Sequence, residues 1–547
     1  MGSKQSVEGL EVHARKLTCG RDARVRNPRA LPLASTPVPP AFASSRSEPS
    51  LYAPPAPPSP GIDQVIDRAF QPIATFVSEL VFVSIPIGGA EVPLIVAWLI
   101  AGATFFTLAL RGINIRGFRH ALRIVLGRED ASDDPGSVSH FQALATAVSG
   151  TVGVGNIAHV AVAVSVGGPG AAFWMAVAGF LGMASKFAEC TLGVKYRRTN
   201  PDGSWSGGPM YYLSGGLSAL GWPRLGRGLA LYYALCVLFG SVGIGMFQAN
   251  QAYVQLVTVT GGSESLVADR GWLVGGLLAL SVGAVIVGGI GSIARFTAKL
   301  VPAMVILYLG CGFLVIAANA AHLPDALHRI VAEAFTPKGA TGGFLGVVVL
   351  GFRRAAFSNE AGIGSSSIAH SVVRTREPLT QGFVAMLEPF IDTVIVCSIT
   401  ALIITTGLAP SELGTGVASG VELTSTAFGR VHPALPSVLS VIVLLFAYST
   451  LISWSYYGLE GCAYLIGESR RIRTAFNLFY CLCAVVGCTT TLKAILEFTD
   501  AMVFAMAFAN LIGLYFMAPE LRADLDRYWR VIRARDRARQ RRGVRAS

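Results

Sequence analysis

The stretch that decides the fold is Gly150-Thr151-Val152-Gly153-Val154-Gly155-Asn156-Ile157-Ala158-His159-Val160, which interrupts a run otherwise apolar enough to cross a bilayer. Three glycines and an asparagine disfavour a continuous membrane helix. A break in the helix frees backbone groups, and lipid offers no water to form hydrogen bonds with them. Such a break persists at membrane depth only where it lines a cavity. The stretch therefore predicts a discontinuous helix that exposes backbone N–H and C=O groups to a ligand and its coupling ions.

A second interrupted segment repeats this pattern about 200 residues later. Phe357–His370 contains Gly362-Ile363-Gly364 and then Ile368-Ala369-His370, again Gly-x-Gly followed by Ile-Ala-His. Two such segments at corresponding positions of two halves are the best sequence pointer to a transport site.

The composition is that of a polytopic membrane protein. Hydrophobic residues make up 52% of the chain and charged residues 14%, with a mean hydropathy of +0.55, whereas a soluble chain is about a quarter charged. The net charge of +12 does not indicate nucleic-acid binding, because the arginines lie at the ends of apolar runs and in the tail. The partner that this composition predicts is the lipid bilayer.

Eleven runs have the length of a membrane span, and the sequence therefore predicts an all-α fold. The predicted spans are 91–110, 143–165, 169–192, 227–258, 271–291, 299–320, 343–373, 381–407, 436–466, 472–490 and 494–518. Residues 1–60, rich in Pro, Ser and Arg, are expected to be disordered, because they cannot bury enough apolar area to fold.

Basic residues follow every odd-numbered span, which places those ends on the cytoplasmic side. The C-terminus is then cytoplasmic and the N-terminus outside, in an inner (plasma) membrane of bacterial type. Residues 1–60 fit this orientation poorly, with eight Lys/Arg against four Asp/Glu. Either a long tail crosses despite its charge, or the true start lies near residue 60.

Setting aside the first span leaves two sets of five, each opened by an interrupted span. Because five is odd, the second set is inverted, so the two halves are related by a two-fold axis in the membrane plane. The predicted regions are 1–60 (N-terminal extension), 61–142 (N-terminal helix and basic loop), 143–320 (first repeat), 343–518 (second repeat) and 519–547 (Arg-rich tail).

The first break has the groups to hold both a carboxylate and a cation. Free N–H groups at a half-helix N-terminus bind anions, so we assign substrate binding to Thr151, Gly153, Val154 and Gly155. Carbonyls from Ser149 to Val152 and the Asn156 side chain would ligate Na+. The glycines of the first break have two alternative explanations. They match the nucleotide-loop pattern G-x-G-x-x-A, but the strand and the acidic residue that such a loop needs are missing. They could also serve only the close packing of small residues between helices.

The second break adds side chains that suit a small substrate. Phe357 would wall an apolar side chain, and Ser358 with Gly362 completes the predicted pocket. Glu360 is expensive at this depth, so it is either functional or a partner of Arg353 or Arg354.

Two further spans carry polar groups at helical spacing. Gly245 and Gln248 would face substrate, although Gln248 could instead bond a neighbouring helix. Ser449, Thr450 and Ser453 share one face and would complete a Na+ site, or would bond back to their own helix.

The order of the motifs resembles the alanine or glycine:cation symporter family, also called sodium:alanine symporters, over roughly residues 70–520. The motifs are Ser139–Leu144, Gly150–Val160, Gly167–Met175, Gly182–Glu189, Gly207–Tyr212 and Phe357–Gly364. The resemblance implies the inverted-repeat fold of the leucine transporter with one extra N-terminal helix. It also implies Na+-driven uptake of alanine or glycine.

The chain departs from the family's pattern at His159, where members often have glycine, and at Ala176, where they often have tryptophan. His159 either adds a pH-sensitive group or packs. The rival functions are a proton-coupled permease that uses Glu360 or Asp392 and, more remotely, a membrane enzyme or sensor.

Overall fold

Helices form nearly all of the regular structure in the computed structural model, which describes residues 62–127, 134–336, 343–413, 420–489 and 493–546. All of them belong to one compact unit, Pro60–Ser547. The predicted extension 1–60 lies outside the described residues. The helices up to the middle of the chain are α1 Ile62–Val81, α2 Leu94–Ala109, α3 Ile113–Arg116, α4 Phe118–Val125, α5 His140–Thr151, α6 Gly155–Gly167, α7 Gly170–Lys195, α8 Pro209–Ala219, α9 Pro223–Val259, α10 Gly271–Ile286, α11 Gly289–Ala318 and α12 Leu323–Glu333.

The second half contains the remaining helices. They are α13 Gly343–Asn359, α14 Ser367–Ser371, α15 Pro378–Ala385, α16 Leu387–Pro389, a π-helix Phe390–Cys397, α17 Ser398–Gly407, α18 Val421–Val431, α19 Leu435–Ile466, α20 Arg470–Gly487 and α21 Lys493–Ala546. Short 3₁₀ helices occupy Gly262–Glu264, Ala320–His322 and Pro410–Glu412.

Within the described residues, six helices are long and apolar enough to cross a membrane, or up to seven if the bent pair α5 and α6 counts as one span. The chain is thus an all-α polytopic membrane protein, as predicted. One helix or several consecutive helices lie at each of the eleven predicted ranges, but α2 and α10 are shorter apolar helices. The count of eleven spans stays a prediction.

Two small sheets interrupt the helical architecture. Strands β1 Ser84–Ile87 and β2 Ala90–Pro93 pair antiparallel, as do β3 Arg198–Thr199 and β4 Trp205–Ser206. The first hairpin turns at Gly88 and Gly89, whose positive φ angles of 57° and 84° favour glycine.

The first break separates α5 from α6 with a bend of 44°. α5 begins at a capping box: Ser139 Oγ accepts from Gln142 N at 3.2 Å, and Gln142 Oε1 accepts from Ser139 N at 3.0 Å. It ends at Thr151, and Val152 turns to extended backbone. The interruption predicted from the glycines therefore lies at residues 152–154.

The second break lies between α13 and α14. Glu360, Gly362 and Gly364 have φ angles of 55°, 88° and 92°. This left-handed conformation suits glycine but is strained for Glu360. The segment then resumes as only five helical residues, Ser367–Ser371.

Around the breaks, α19 packs on α9 and on α5, while α7 packs on α13, α14 and α15. The largest fully buried side chains in this region include Trp454, Tyr457 and Phe446 of α19. This packing places both breaks inside the protein.

Candidate functional site

A cavity of about 20 Å³ lies between the two breaks, which is room for about one water molecule. Its lining comes from both breaks, α9, α19 and α21. The lining residues are Gly150, Thr151, Gly153, Gly155, Ile244, Gln248, Phe357, Ser358, Glu360, Thr450, Trp454 and Val503.

Most residues assigned to substrate from the sequence border this cavity. They are Thr151, Gly153, Gly155, Gln248, Phe357 and Ser358. Sequence reasoning missed Ile244, Trp454 and Val503. The first two lie one helical turn from Gln248 and Thr450, so their spacing could have suggested them; Val503 carries no such signal.

Two of the hydroxyl groups assigned to sodium meet the carbonyl end of α5. Thr450 Oγ1 and Ser449 Oγ donate to the Ser149 carbonyl at 3.2 and 3.4 Å. Ser453 Oγ donates one turn earlier, to the Thr146 carbonyl at 2.9 Å. Ser449 and Thr450 also bond back to Phe446 of their own helix. Hydroxyl and carbonyl oxygens therefore converge at the break.

Gly153 is the residue at which the first break contacts both α9 and α19. A Cβ atom placed there would lie 2.6 Å from Thr450 Oγ1 and 3.2 Å from Gln248 Nε2. Only glycine allows the two side chains this close to the backbone. Gln248 is buried, and its Oε1 has no hydrogen-bond partner among the described residues, so the amide presents an acceptor at the cavity.

Asn156 links the first break to the second half of the chain. Its Oδ1 accepts from Gly153 N at 2.9 Å, while its Nδ2 donates to Asp392 Oδ1 at 2.6 Å. Ser358 Oγ and Thr393 Oγ1 donate to the other Asp392 oxygen at 2.8 and 2.6 Å. Asp392 is fully buried on the π-helix, and it thereby joins both breaks through one carboxylate.

Four other assigned residues are absent from the cavity wall. A Cβ atom at Gly245 would lie 2.7 Å from the Tyr480 hydroxyl, and one at Gly362 would lie 2.7 Å from Leu99 Cδ2. Val152 and Val154 are fully buried within the break itself. Gly245 and Gly362 therefore permit helix contacts rather than bordering the cavity.

Glu360 borders the cavity, and its carboxylate accepts from the Ser365 hydroxyl in the same break. Arg353, its possible partner in the sequence analysis, instead lies over the Phe82 ring at 4.4 Å.

A pair of broken helices around a small cavity, with oxygen atoms converging at one break, is typical of secondary transporters. Comparison with known proteins gives the family. Residues 81–542 match the sodium:alanine symporter family, and the chain belongs to this family, as the motifs had indicated.

Three relatives illustrate its range. The chain is 36% identical over 427 residues to the sodium/alanine symporter AgcS of Methanococcus maripaludis, covering 78% of this chain and 92% of the relative. It is 31% identical to a probable sodium/glutamine symporter, GlnT, of Bacillus subtilis (80% and 88% covered). It is 30% identical to a putative sodium/proton-dependent alanine carrier, YrbD, of the same organism (79% and 89% covered).

These findings make the chain a cation-coupled amino-acid symporter of the membrane, not an enzyme.

Proposed function

We propose that this protein is a Na+-coupled symporter that imports small neutral amino acids, alanine or glycine, by alternating access. The observation that carries the proposal is the meeting of Thr450 and Ser449 hydroxyls with the Ser149 carbonyl at the first break, beside the cavity. A small hard cation is held by such neutral oxygens, and the ends of broken helices supply them.

The Na+ ligands proposed are the Ser149 and Val152 carbonyls with the hydroxyls of Ser449, Thr450 and Ser453. On ion binding each hydroxyl would turn a lone pair toward Na+, since a hydroxyl both donates and accepts. Asn156 stays a predicted ligand, but its Oδ1 accepts from Gly153 N at 2.9 Å. Asn156 Oδ1 could bind Na+ only after its hydrogen bond with Gly153 N breaks.

The substrate carboxylate is assigned to the N-terminus of α6. At the start of α6, the N–H group of Asn156 donates to the Gly153 carbonyl, and those of Ile157 and Ala158 donate to the Val154 carbonyl. The preceding N–H groups of Val154 and Gly155 lie where a helix leaves donors free for an anion. Gln248 Oε1, which lacks a hydrogen-bond partner among the described residues, would accept from the substrate ammonium.

The walls favour a small side chain. Ile244, Phe357 and Val503 border a space of about 20 Å³, so even alanine requires the walls to move outward. Larger substrates require a larger displacement of well-packed side chains, which costs free energy.

The predicted inverted repeat is supported where the broken helices leave the core. Ser137 N donates to the Val372 carbonyl at 2.8 Å, and Arg374 N donates to the Val138 carbonyl at 2.8 Å. The segment that enters α5 thus lies beside the segment that leaves α14. The two segments run parallel at this contact. If both broken helices cross the membrane from this common end, they cross it in opposite directions, as inverted halves would require.

Coupling follows from the shared backbone. Ser149 and Val152 lie six and three residues before Gly155, so ion and substrate would order the same break and each would raise the other's affinity. Joint binding would favour closing one gate and opening the other.

Uptake of labelled alanine into proteoliposomes, with an inward gradient of Na+, Li+, K+ or H+ alone, tests the proposal. We expect concentrative uptake with Na+ and little with K+ or H+. Uptake that persists unchanged when Na+ is removed would refute it.

Proton coupling is the second candidate, and the buried Asp392 carboxylate between both breaks is the observation that favours it. Glu360 at the cavity is its other possible carrier. If protons drive transport, Asp392→Asn or Glu360→Gln should abolish uptake driven by a pH gradient. If Na+ drives it, the wild type should show no such uptake.

A further inference from the structure

His159 lies one helical turn beyond Gly155, and its imidazole faces the N-terminus of α6. A Cβ atom at Gly155 would lie 3.4 Å from His159 Nδ1 and 3.8 Å from Cε1. Side chains on a helix point back toward its N-terminus, so residue i+4 covers residue i. The ring therefore lies over the first turn of α6, at the residue that borders the cavity.

The Nδ1 atom is a buried polar atom that lacks a partner. His159 is 6% exposed, and among the described residues its Nδ1 has no hydrogen-bond partner. Leaving such an atom unpaired costs free energy, so an orphan of this kind calls for an explanation. The rest of the ring is well packed, because it contacts Phe357 edge-to-face at 4.4 Å and stacks with Phe247 at 6.5 Å between centroids.

Two independent observations thus meet at one point. α6 is a helix of 13 residues whose N-terminus attracts anions. The unpartnered imidazole nitrogen is directed at that same N-terminus. A neutral histidine can carry its proton on Nδ1 and donate there.

We propose that His159 Nδ1–H donates a hydrogen bond to the carboxylate of the transported amino acid, beside the backbone N–H groups of Val154 and Gly155. This inference rests on the proposed function. His159 is then a substrate-binding residue, and it makes recognition of the carboxylate depend on a side chain as well as on backbone.

The test compares variants that keep or remove the donor. His159→Phe keeps an aromatic ring against Phe357 and Phe247 but has no donor, whereas His159→Gln keeps a donor. Na+-driven uptake of alanine is measured in proteoliposomes, together with competition by alaninamide, which lacks the carboxylate.

We expect His159→Phe to raise the KM for alanine about tenfold or more, as for loss of a hydrogen bond to a charged group. The preference for alanine over alaninamide should fall by a similar factor, and His159→Gln should retain part of both. If the Phe variant does not fold, His159→Met against His159→Gln gives the same comparison at nearly equal volume.

An unchanged KM and an unchanged preference in the donor-free variant would overturn this inference alone, leaving the ring as packing. Absence of Na+-driven uptake in the wild type would instead refute the proposed function, and the inference with it.

Discussion

At the scale of single residues, Gly153 is the tightest point of the candidate site. Gly153→Ala would place a methyl group 2.6 Å from Thr450 Oγ1 and 3.2 Å from Gln248 Nε2, displacing one group assigned to the ion and one assigned to the substrate. Overpacking of this kind costs about 1–3 kcal/mol. We expect kcat/KM for Na+-driven alanine uptake to fall at least about tenfold, with a higher Na+ concentration at half-maximal rate.

The matched control is Gly276→Ala on α10, where a Cβ atom meets nothing within 4 Å. It should transport like the wild type. Wild-type Na+ dependence in Gly153→Ala itself would place the coupled sites away from this break.

Sequence patterns predict a residue well when its role depends on its own backbone. They predict it poorly when its role depends on a partner that is distant in the chain. Gly153 and Gly155 were found because glycines in an apolar run signal a break whatever surrounds them. Gly245 is also a glycine within an apolar run, yet it faces Tyr480, which lies more than 200 residues away in the chain. Asp392 entered only the proton-coupled alternative, because its bonds to Asn156 and Ser358 come from two other segments of the chain and leave no local pattern.

At the scale of helices, the positions of the long apolar helices and of both interruptions followed from apolar length and glycine placement. The point at which the second broken helix resumes did not follow, because α14 begins only at Ser367, three residues after Gly364. The π-helix Phe390–Cys397 was not predicted either. Its extra residue per turn has no periodic signal, and it places Asp392 toward the breaks.

A buried ion pair joins α7 and α16 beside the second break. Lys186 of α7 and Glu388 of α16 are both fully buried, with Nζ and Oε1 3.3 Å apart. His370 Nε2 of α14 lies 3.5 Å from the other Glu388 oxygen, and Lys186 also donates to Ser366. Three helices therefore meet around one carboxylate.

Removing one partner of a buried pair leaves an uncompensated charge, at a cost of about 3–5 kcal/mol. We expect Lys186→Met to lower the thermal unfolding midpoint of the purified protein by several degrees. Lys186→Met with Glu388→Leu should regain most of the loss, because neither charge then remains buried alone. A double variant no more stable than the single one would contradict this account of the pair.

At the scale of the whole molecule, Arg197 ties together the ends of both broken helices. Its guanidinium donates to the carbonyls of Pro135, which precedes α5, and of Ser371, Val373 and Thr375, which end or follow α14. Burial lowers the pKa of Arg197 to about 10, so the group is still charged at neutral pH. These contacts lie on the side that basic residues predict to be cytoplasmic, and we predict that they hold that side closed.

Arg197→Ala should therefore shift the protein toward a conformation open on that side. Each bond lost from a charged donor to a carbonyl is worth about 1.5–3 kcal/mol, and about 1.4 kcal/mol is a factor of ten in an equilibrium. Ser371 is fully buried, so a cysteine introduced there reports on opening. In the Arg197→Ala background, this cysteine should react at least several-fold faster with an impermeant maleimide supplied from the predicted cytoplasmic side. Mass spectrometry of that site measures the labelling rate. Arg198→Ala is the matched control, because Arg198 lies over Tyr211 at 5.8 Å. Equal labelling rates in the two variants would show that Arg197 does not close this side.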